Sequence, residues 1–188
     1  MRTEATVVLV EGESDRRALT VLARRLGHDL AASGVDVVAM DGITNLGRHV
    51  AELDARPAPP RILGLFDIGE ASHVARMLAA AGRAPADATA GLEALGFFAC
   101  TLDLEDELIR AAGADAIEGV LAGRRDLERF RTFQRQPAQR ARPIEAQLRR
   151  FAGTASGRKT WFAADVVESL ELERMPRPML GLLEAVAR

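Results

Sequence analysis

Four short apolar runs, separated by stretches of helical periodicity, constrain this chain more than any other feature. Thr6-Val7-Val8-Leu9-Val10 is a β-branched run of the kind found in a strand buried on both faces. A helical pattern then begins at about Ser14, with Ala18, Leu22 and Leu26 on one face and Leu19 and Val21 beside them. Val35–Ala39 reads as a second strand, after which Thr44 or Asn45 is placed to cap a short helix to about Leu53. The segment 56–60, Arg-Pro-Ala-Pro-Pro, is a surface connector because proline excludes helix. Residues 61–66 form a third strand, followed by a helix to about Ala81 with Val74, Met77 and Leu78 facing inward. Residues 82–90 read as a loose stretch, 91–95 as a short helical turn and 96–102 as a fourth strand. Strand and helix alternating in this way predict a parallel sheet with right-handed crossovers.

Beyond residue 107 the pattern is helical throughout. Residues 108–121 are broken by Gly113, 124–135 carry Leu127, Phe130 and Phe133, and Pro137 and Pro143 bracket a turn. A helix over 144–151 leads to a flexible Gly153-to-Gly157 loop. The helix over 158–170 has Lys159 in its first turn, and Pro176 and Pro178 open a last helix. The expected organisation is an α/β core over residues 1–110 and a helical extension over 111–188 packed on it.

Three of the four strands end directly on carboxylates, at Glu11, Asp67 and Asp103. Parallel strands place their C-terminal ends along one edge, where open α/β sheets bind ligands. Each acid alone also reads as a helix-flanking residue favoured by the helix dipole. Pooled carboxylates, however, repel one another unless a cation neutralises them. The segment Glu11-Gly12-Glu13-Ser14-Asp15 adds a second acid: glycine permits a tight turn, and Asp15 returns beside Glu11 at the helix start. Ser14 reads as the N-cap and Glu13 as a solvated side chain.

Charge is distributed unevenly. Residues 1–120 carry 11 Arg and no Lys against 19 Asp and Glu, a net −8. Residues 121–160 carry 10 Arg and one Lys against three acids, a net +8. An acidic half beside a basic segment suits a metal site next to a polyanion-binding surface; the plain alternative is a solvated Arg-rich helical face. The phosphate-binding candidates are Arg124, Arg125, Arg129, Arg131, Arg135, Arg140, Arg142, Arg149, Arg150 and Arg158. Lys159 is the only lysine, in a composition that otherwise uses arginine, which marks it for a compact, tunable ammonium role. The absence of tyrosine excludes a tyrosine nucleophile, and few aromatics argue against a stacking single-strand reader. One cysteine excludes an internal disulfide and Cys-based zinc fingers, and His28, His49 and His73 lack ligand spacing. No apolar run approaches a membrane span and no signal-peptide pattern is present, so a cytoplasmic protein without membrane association is expected. The segment 153–160 has the outline of a phosphate-binding P-loop, but Arg158 stands where that motif needs glycine and a helix precedes it, which excludes an intrinsic ATPase.

Val10-Glu11-Gly12-x-x-Asp15 after a hydrophobic strand, with Asp67 after the third, resembles the Toprim domain of topoisomerases, primases and related nucleases. Asp103-Leu-Glu105 and Ser156-Gly-Arg-Lys159 make the chain most similar to the Toprim nuclease domain of the overcoming-lysogenisation-defect (OLD) family, over about residues 5–165. The resemblance implies a Rossmann-like four-stranded parallel sheet with flanking helices and a C-terminal helical extension. It implies a nuclease that hydrolyses DNA phosphodiester bonds with two Mg²⁺ or Mn²⁺ ions. Glu11 would be the first-strand glutamate, Asp15, Asp67, Asp103 and Glu105 the further metal ligands, and Lys159 the catalytic lysine. The family's Asp-x-Asp is here Asp67-Ile68-Gly69, and Glu70 is the candidate substitute for the second aspartate. Family members usually carry an ATPase domain, so a separate ATPase is an expected partner beside DNA. Two alternatives follow: a catalytically weak metal- and nucleic-acid-binding module, and a nucleotidyl transferase.

Overall fold

The computed structural model describes residues 5–84 and 91–188, so the expected loose stretch at 82–90 lies from residue 85 onward outside the described residues. Four parallel strands, β1 (Thr6–Val10), β2 (Val35–Ala39), β3 (Arg61–Asp67) and β4 (Phe97–Cys100), form one sheet in the order β2-β1-β3-β4. Thr6 pairs with Val35 on one side and Arg61 on the other, and Asp67 lies opposite Cys100. β1 is therefore central and buried along its whole length, as its unbroken apolar run requires. The chain winds outward from β1 to β2 and then crosses back to β3. The switch point of the topology thus falls between the C-terminal ends of β1 and β3, beside Glu11 and Asp67.

Alternation along the strands supplies two cores. Val8, Val10, Leu63 and Leu65 face a large core built with α1 (Glu13–Arg25), whereas Val7, Leu9, Ile62 and Phe66 face a smaller one covered by α2 (Leu46–Asp54) and α3 (Ala71–Ala80). The large core continues without a break into the helical part: α4 (Leu104–Ala112), α5 (Ala114–Gly123) and α6 (Leu127–Gln134), and, beyond the single turn α7 (Pro137–Arg140), α8 (Ile144–Ala152), α9 (Ser156–Ser169) and α10 (Arg177–Val186). Gly64 shows how tightly the smaller core is closed, since a Cβ there would stand 2.6 Å from the Phe97 ring and 3.3 Å from the Leu9 carbonyl. Phe97 is itself buried and cannot swing away. Gly64→Ala is expected to cost about 1–3 kcal/mol by overpacking, read as a lower urea midpoint at unchanged m-value.

Several boundaries differ from the sequence reading for physical reasons. Gly12, not Ser14, is the N-cap of α1, because the Asp15 carboxylate reaches back to the Gly12 N–H at 2.8 Å. Glu13 is half exposed but not merely solvated, as it pairs with Arg16 and Arg17 at 2.7 and 2.8 Å. β4 stops at Cys100 because the Thr101 N–H leaves the ladder to donate to Glu107 Oε1 at 2.8 Å. The helix expected from 108 begins at Leu104, capped by Asp103, whose Oδ1 accepts the Asp106 N–H at 2.7 Å. The loop expected at 153–157 ends sooner, since α9 already starts at Ser156.

α9 lies against α1 in parallel. Arg24 pairs with Glu168, and the Arg25 guanidinium donates to the Val167 and Leu170 carbonyls at the α9 C-terminus. That anchoring brings the start of α9, and with it Lys159, to the same end of the molecule as the start of α1. Among the described residues, no helix is long and apolar enough to cross a membrane.

Candidate functional site

The strand ends open into a cleft of about 370 Å³ lined by Glu11, Asp15, Asp41, Asp67, Asp103 and Glu105, with Lys159 and Thr160 on the α9 side. The N-termini of α1, α4 and α9 all meet it, and their partial positive charges favour anions there. Glu11 leaves β1 with its carbonyl bonded to the Gly42 N–H at 3.0 Å, which ties the exits of β1 and β2 together. Asp67 is the last residue of β3. Glu105, in the first turn of α4, is only 7% exposed, and its Oε1 accepts the Ser14 hydroxyl at 3.2 Å. Asp103 is doubly engaged: beyond its capping bond, Oδ2 accepts Arg149 Nε at 2.7 Å and lies 2.6 Å from Arg149 Nη2. Lys159 is exposed and forms no ion pair among the described residues.

The crowding of these acids is visible in their titration. Asp15 is pushed up to about 7, chiefly by withdrawal from solvent; the Gly12 N–H opposes this, the charges of Glu105 and Glu11 add to it, and Lys159 offsets part. Asp67 is likewise pushed up to about 7 by withdrawal from solvent, then by Glu11, Asp103, Asp15 and Glu105. Burial also raises the Cys100 thiol, so it stays protonated and unreactive. Among the described residues no three acids stand close enough to form a ready-made ligand cage. Asp103 and Glu105 are engaged by protein partners. The donor set nevertheless fits a hard divalent cation: every group is a carboxylate, and their mutual repulsion is what such an ion relieves. A larger groove of about 660 Å³, lined by Leu63, Phe98, Arg177 and Leu180 among others, lacks the strand-end carboxylates.

Glu11, Asp15, Asp67, Asp103, Glu105 and Lys159 are therefore brought together, and Glu70 is not. Ile68–Glu70 forms a 3₁₀ turn that leads into α3, and Glu70 does not line the cleft, so its position does not replace the missing second aspartate directly. Asp41 is the acid that sequence reasoning missed. It follows β2 in the left-handed conformation (φ 57°), its carbonyl accepting Asn45 Nδ2 at 3.2 Å. An Asp-Gly pair at the end of an apolar run was the available signal, identical in kind to Glu11-Gly12.

The arginines divide. Arg125, Arg135, Arg140, Arg142 and Arg150 are exposed and, among the described residues, form no ion pairs. Arg124 pairs with Asp165 and lies 5.2 Å from the Trp161 ring centroid, Arg129 pairs with Asp126, Arg131 pairs with Glu118, and Arg149 pairs with the cleft residue Asp103. Arg158 corrects the expectation of a phosphate contact. It is 8% exposed, paired with Asp126, bonded to the Phe151 carbonyl at 2.9 Å and stacked 3.6 Å from the Phe151 ring centroid. Arg158→Ala is expected to destabilise the fold by about 2 kcal/mol, because it leaves buried Asp126 only the longer contact to exposed Arg129 at 3.2 Å and removes the stacking on Phe151; a thermal melt checks this.

Residues 5–63 match the family model described as "Overcoming lysogenization defect protein-like, TOPRIM domain", a stretch that contains Glu11 and Asp15 and ends before Asp67. Solved structures extend the likeness to the whole chain. The C-terminal region of the Burkholderia pseudomallei OLD protein matches at 19% identity with a TM-score of 0.69, covering 98% of this chain and 97% of that one. The C-terminal region of the Xanthomonas campestris pv. campestris OLD protein matches at 22% identity with a TM-score of 0.70, covering 99% of this chain and 96% of that one. At these identities the superposition shows the fold, which is that of the OLD C-terminal region. No curated protein matches the sequence.

Proposed function

We propose that this chain, whose Toprim domain resembles that of the OLD proteins, is a divalent-metal-dependent nuclease that hydrolyses DNA phosphodiester bonds. The observation that carries the reading is the convergence of Glu11, Asp15, Asp67, Asp103 and Glu105 on one cleft with Lys159 at its wall. Glu11, Asp15 and Asp67 would hold Mg²⁺ or Mn²⁺, with Asp103 and Glu105 toward a second ion. Two such ions, when bound, supply activation of the attacking water and neutralisation of the leaving oxygen.

The protein's own part is to bind and orient. Lys159, which forms no ion pair among the described residues and lies in the first turn of α9, would stabilise charge that develops on the non-bridging phosphate oxygens in the transition state. The exposed Arg125, Arg135, Arg140, Arg142 and Arg150 would hold the phosphate backbone, a mode that is salt-sensitive and reads little sequence. An ATPase is the proposed partner of this nuclease unit, by analogy with the ATPase domains of OLD proteins.

The test is Mg²⁺- or Mn²⁺-dependent nicking of plasmid DNA by the purified protein. Lys159→Ala is expected to lower the rate by about 10²-fold without altering the thermal midpoint. A variant that keeps the full rate removes Lys159 from the chemistry. One observation favours a weaker module instead: Glu70 stands off the cleft and Asp103 is held by Arg149, which leaves the second cation position short of ligands. Calorimetric Mn²⁺ titration in the presence of a cleavage-resistant phosphorothioate duplex separates the readings, since two ions support the nuclease and one weak ion the binding module.

A further inference from the structure

We infer that Arg149 is a positioning residue that couples backbone binding to the cation site: it holds Asp103 until a DNA phosphate takes over its guanidinium. The inference rests on the nuclease reading above. Arg149 belongs to the basic segment but, among the described residues, is its only member paired with a cleft carboxylate. It reaches Asp103 from the last turn of α8, with Nε and Nη2 both on Oδ2 at 2.7 and 2.6 Å. The other oxygen of Asp103 is occupied by the Asp106 N–H at 2.7 Å. Both oxygens that would face a cation therefore already serve the protein.

The pair is built to exchange. Its side chains are 42% and 24% exposed, so water screens the attraction, and among the described residues no second ion pair locks the guanidinium in place. The Arg149 fork fits phosphate as well as carboxylate. Asp106 and Asp67 also lie within its electrostatic reach, and its partner Asp103 lines the cleft. Its neighbour Arg150 is exposed. An incoming phosphate that captures Arg149 frees Asp103 Oδ2 for a cation, and a bound cation frees Arg149 for phosphate. Binding of the two is thereby coupled, and the coupling is reciprocal. It would also keep a second cation from settling before substrate is present.

Mn²⁺ titration of the full chain, by calorimetry or by loss of the free Mn²⁺ EPR signal, tests this with and without a phosphorothioate duplex that resists cleavage. In the wild type the duplex is expected to tighten Mn²⁺ binding by about 10-fold, within the usual range for coupled sites. Arg149→Gln is expected to bind Mn²⁺ more tightly than wild type without duplex, by a similar factor of about 10, and to lose the duplex effect. Arg149→Lys, which keeps the charge but not the fork, is expected to fall between, and Asp103→Asn to abolish the gain in the Arg149→Gln background. A merely structural brace would change the melting point and leave Mn²⁺ affinity alone. Mn²⁺ binding that is unchanged or weakened in Arg149→Gln overturns the coupling while leaving the nuclease reading intact. No Mn²⁺ binding by any variant overturns both.

Discussion

Exchanging Glu11 for Gln is expected to lower metal-dependent plasmid nicking by about 10³-fold while leaving the metal-free protein as stable as wild type or more so. The substitution keeps the shape of the side chain and removes one charge. Glu11 stands at the tip of the central strand, with its carbonyl fixed by the Gly42 N–H, so the backbone has no reason to move. Its charge is one of those that push Asp15 and Asp67 upward, so removing it relieves repulsion in the absence of a cation. Activity and stability should therefore move in opposite directions. That pattern separates loss of a ligand from damage to the fold, which would lower both. A variant that nicks at the wild-type rate would remove Glu11 from the site.

The second large effect is on stability as a function of pH. Asp15 and Asp67 rise from an ordinary 3.8 to about 7 in the folded chain. The folded state therefore holds more protons than the unfolded state between those values, and stability falls as pH rises through the window. At one pKa unit per 1.36 kcal/mol, with the two groups coupled and half-buried Asp67 screened by solvent, the loss between about pH 4 and pH 8 is on the order of a few kcal/mol. Ion-paired acids act in the opposite sense. Glu13, drawn down to about 2 by Arg16 and Arg17, contributes stability above its unfolded value that is lost only in stronger acid. The metal-free protein should thus melt highest at mildly acid pH and progressively lower toward pH 8. Mg²⁺ should reverse the trend, raising the melting temperature strongly at about pH 8 and hardly at about pH 5, where protons already occupy the carboxylates. Thermal melts in EDTA and in Mg²⁺ across this range measure it directly. A melting temperature that climbs with pH and ignores Mg²⁺ would contradict the placement of these acids.

Much of the fold was legible because its determinants are local. The apolar runs that became β1 and β2 are terminated by Glu11-Gly12 and by Met40-Asp41-Gly42, and the observed strands cover the residues expected of them. The convergence of Glu11, Asp67 and Asp103 followed from parallel topology alone. What escaped depends on contacts between residues far apart in the chain. Arg158 looked like its exposed neighbours until Asp126, 32 residues earlier, enclosed it. Ser14 had the composition of a cap, yet its hydroxyl serves Glu105, 91 residues away. Asp41 entered the cleft only because β2 lies beside β1, and Glu70 left it because the turn after β3 is a 3₁₀ helix directed into α3. Arg149 was expected to meet phosphate; its grip on Asp103 is invisible in a sequence where the two stand 46 residues apart.

The most direct measurement is a crystal structure of this chain soaked in Mn²⁺, with the metal located by its anomalous scattering. Density is expected between the tips of β1 and β3, in contact with the carboxylates of Glu11 and Asp67 and within reach of Asp15, with Lys159 on the open side. Anomalous density confined to other sites, or a fully loaded soak that leaves Glu11 and Asp67 without a metal, would contradict it.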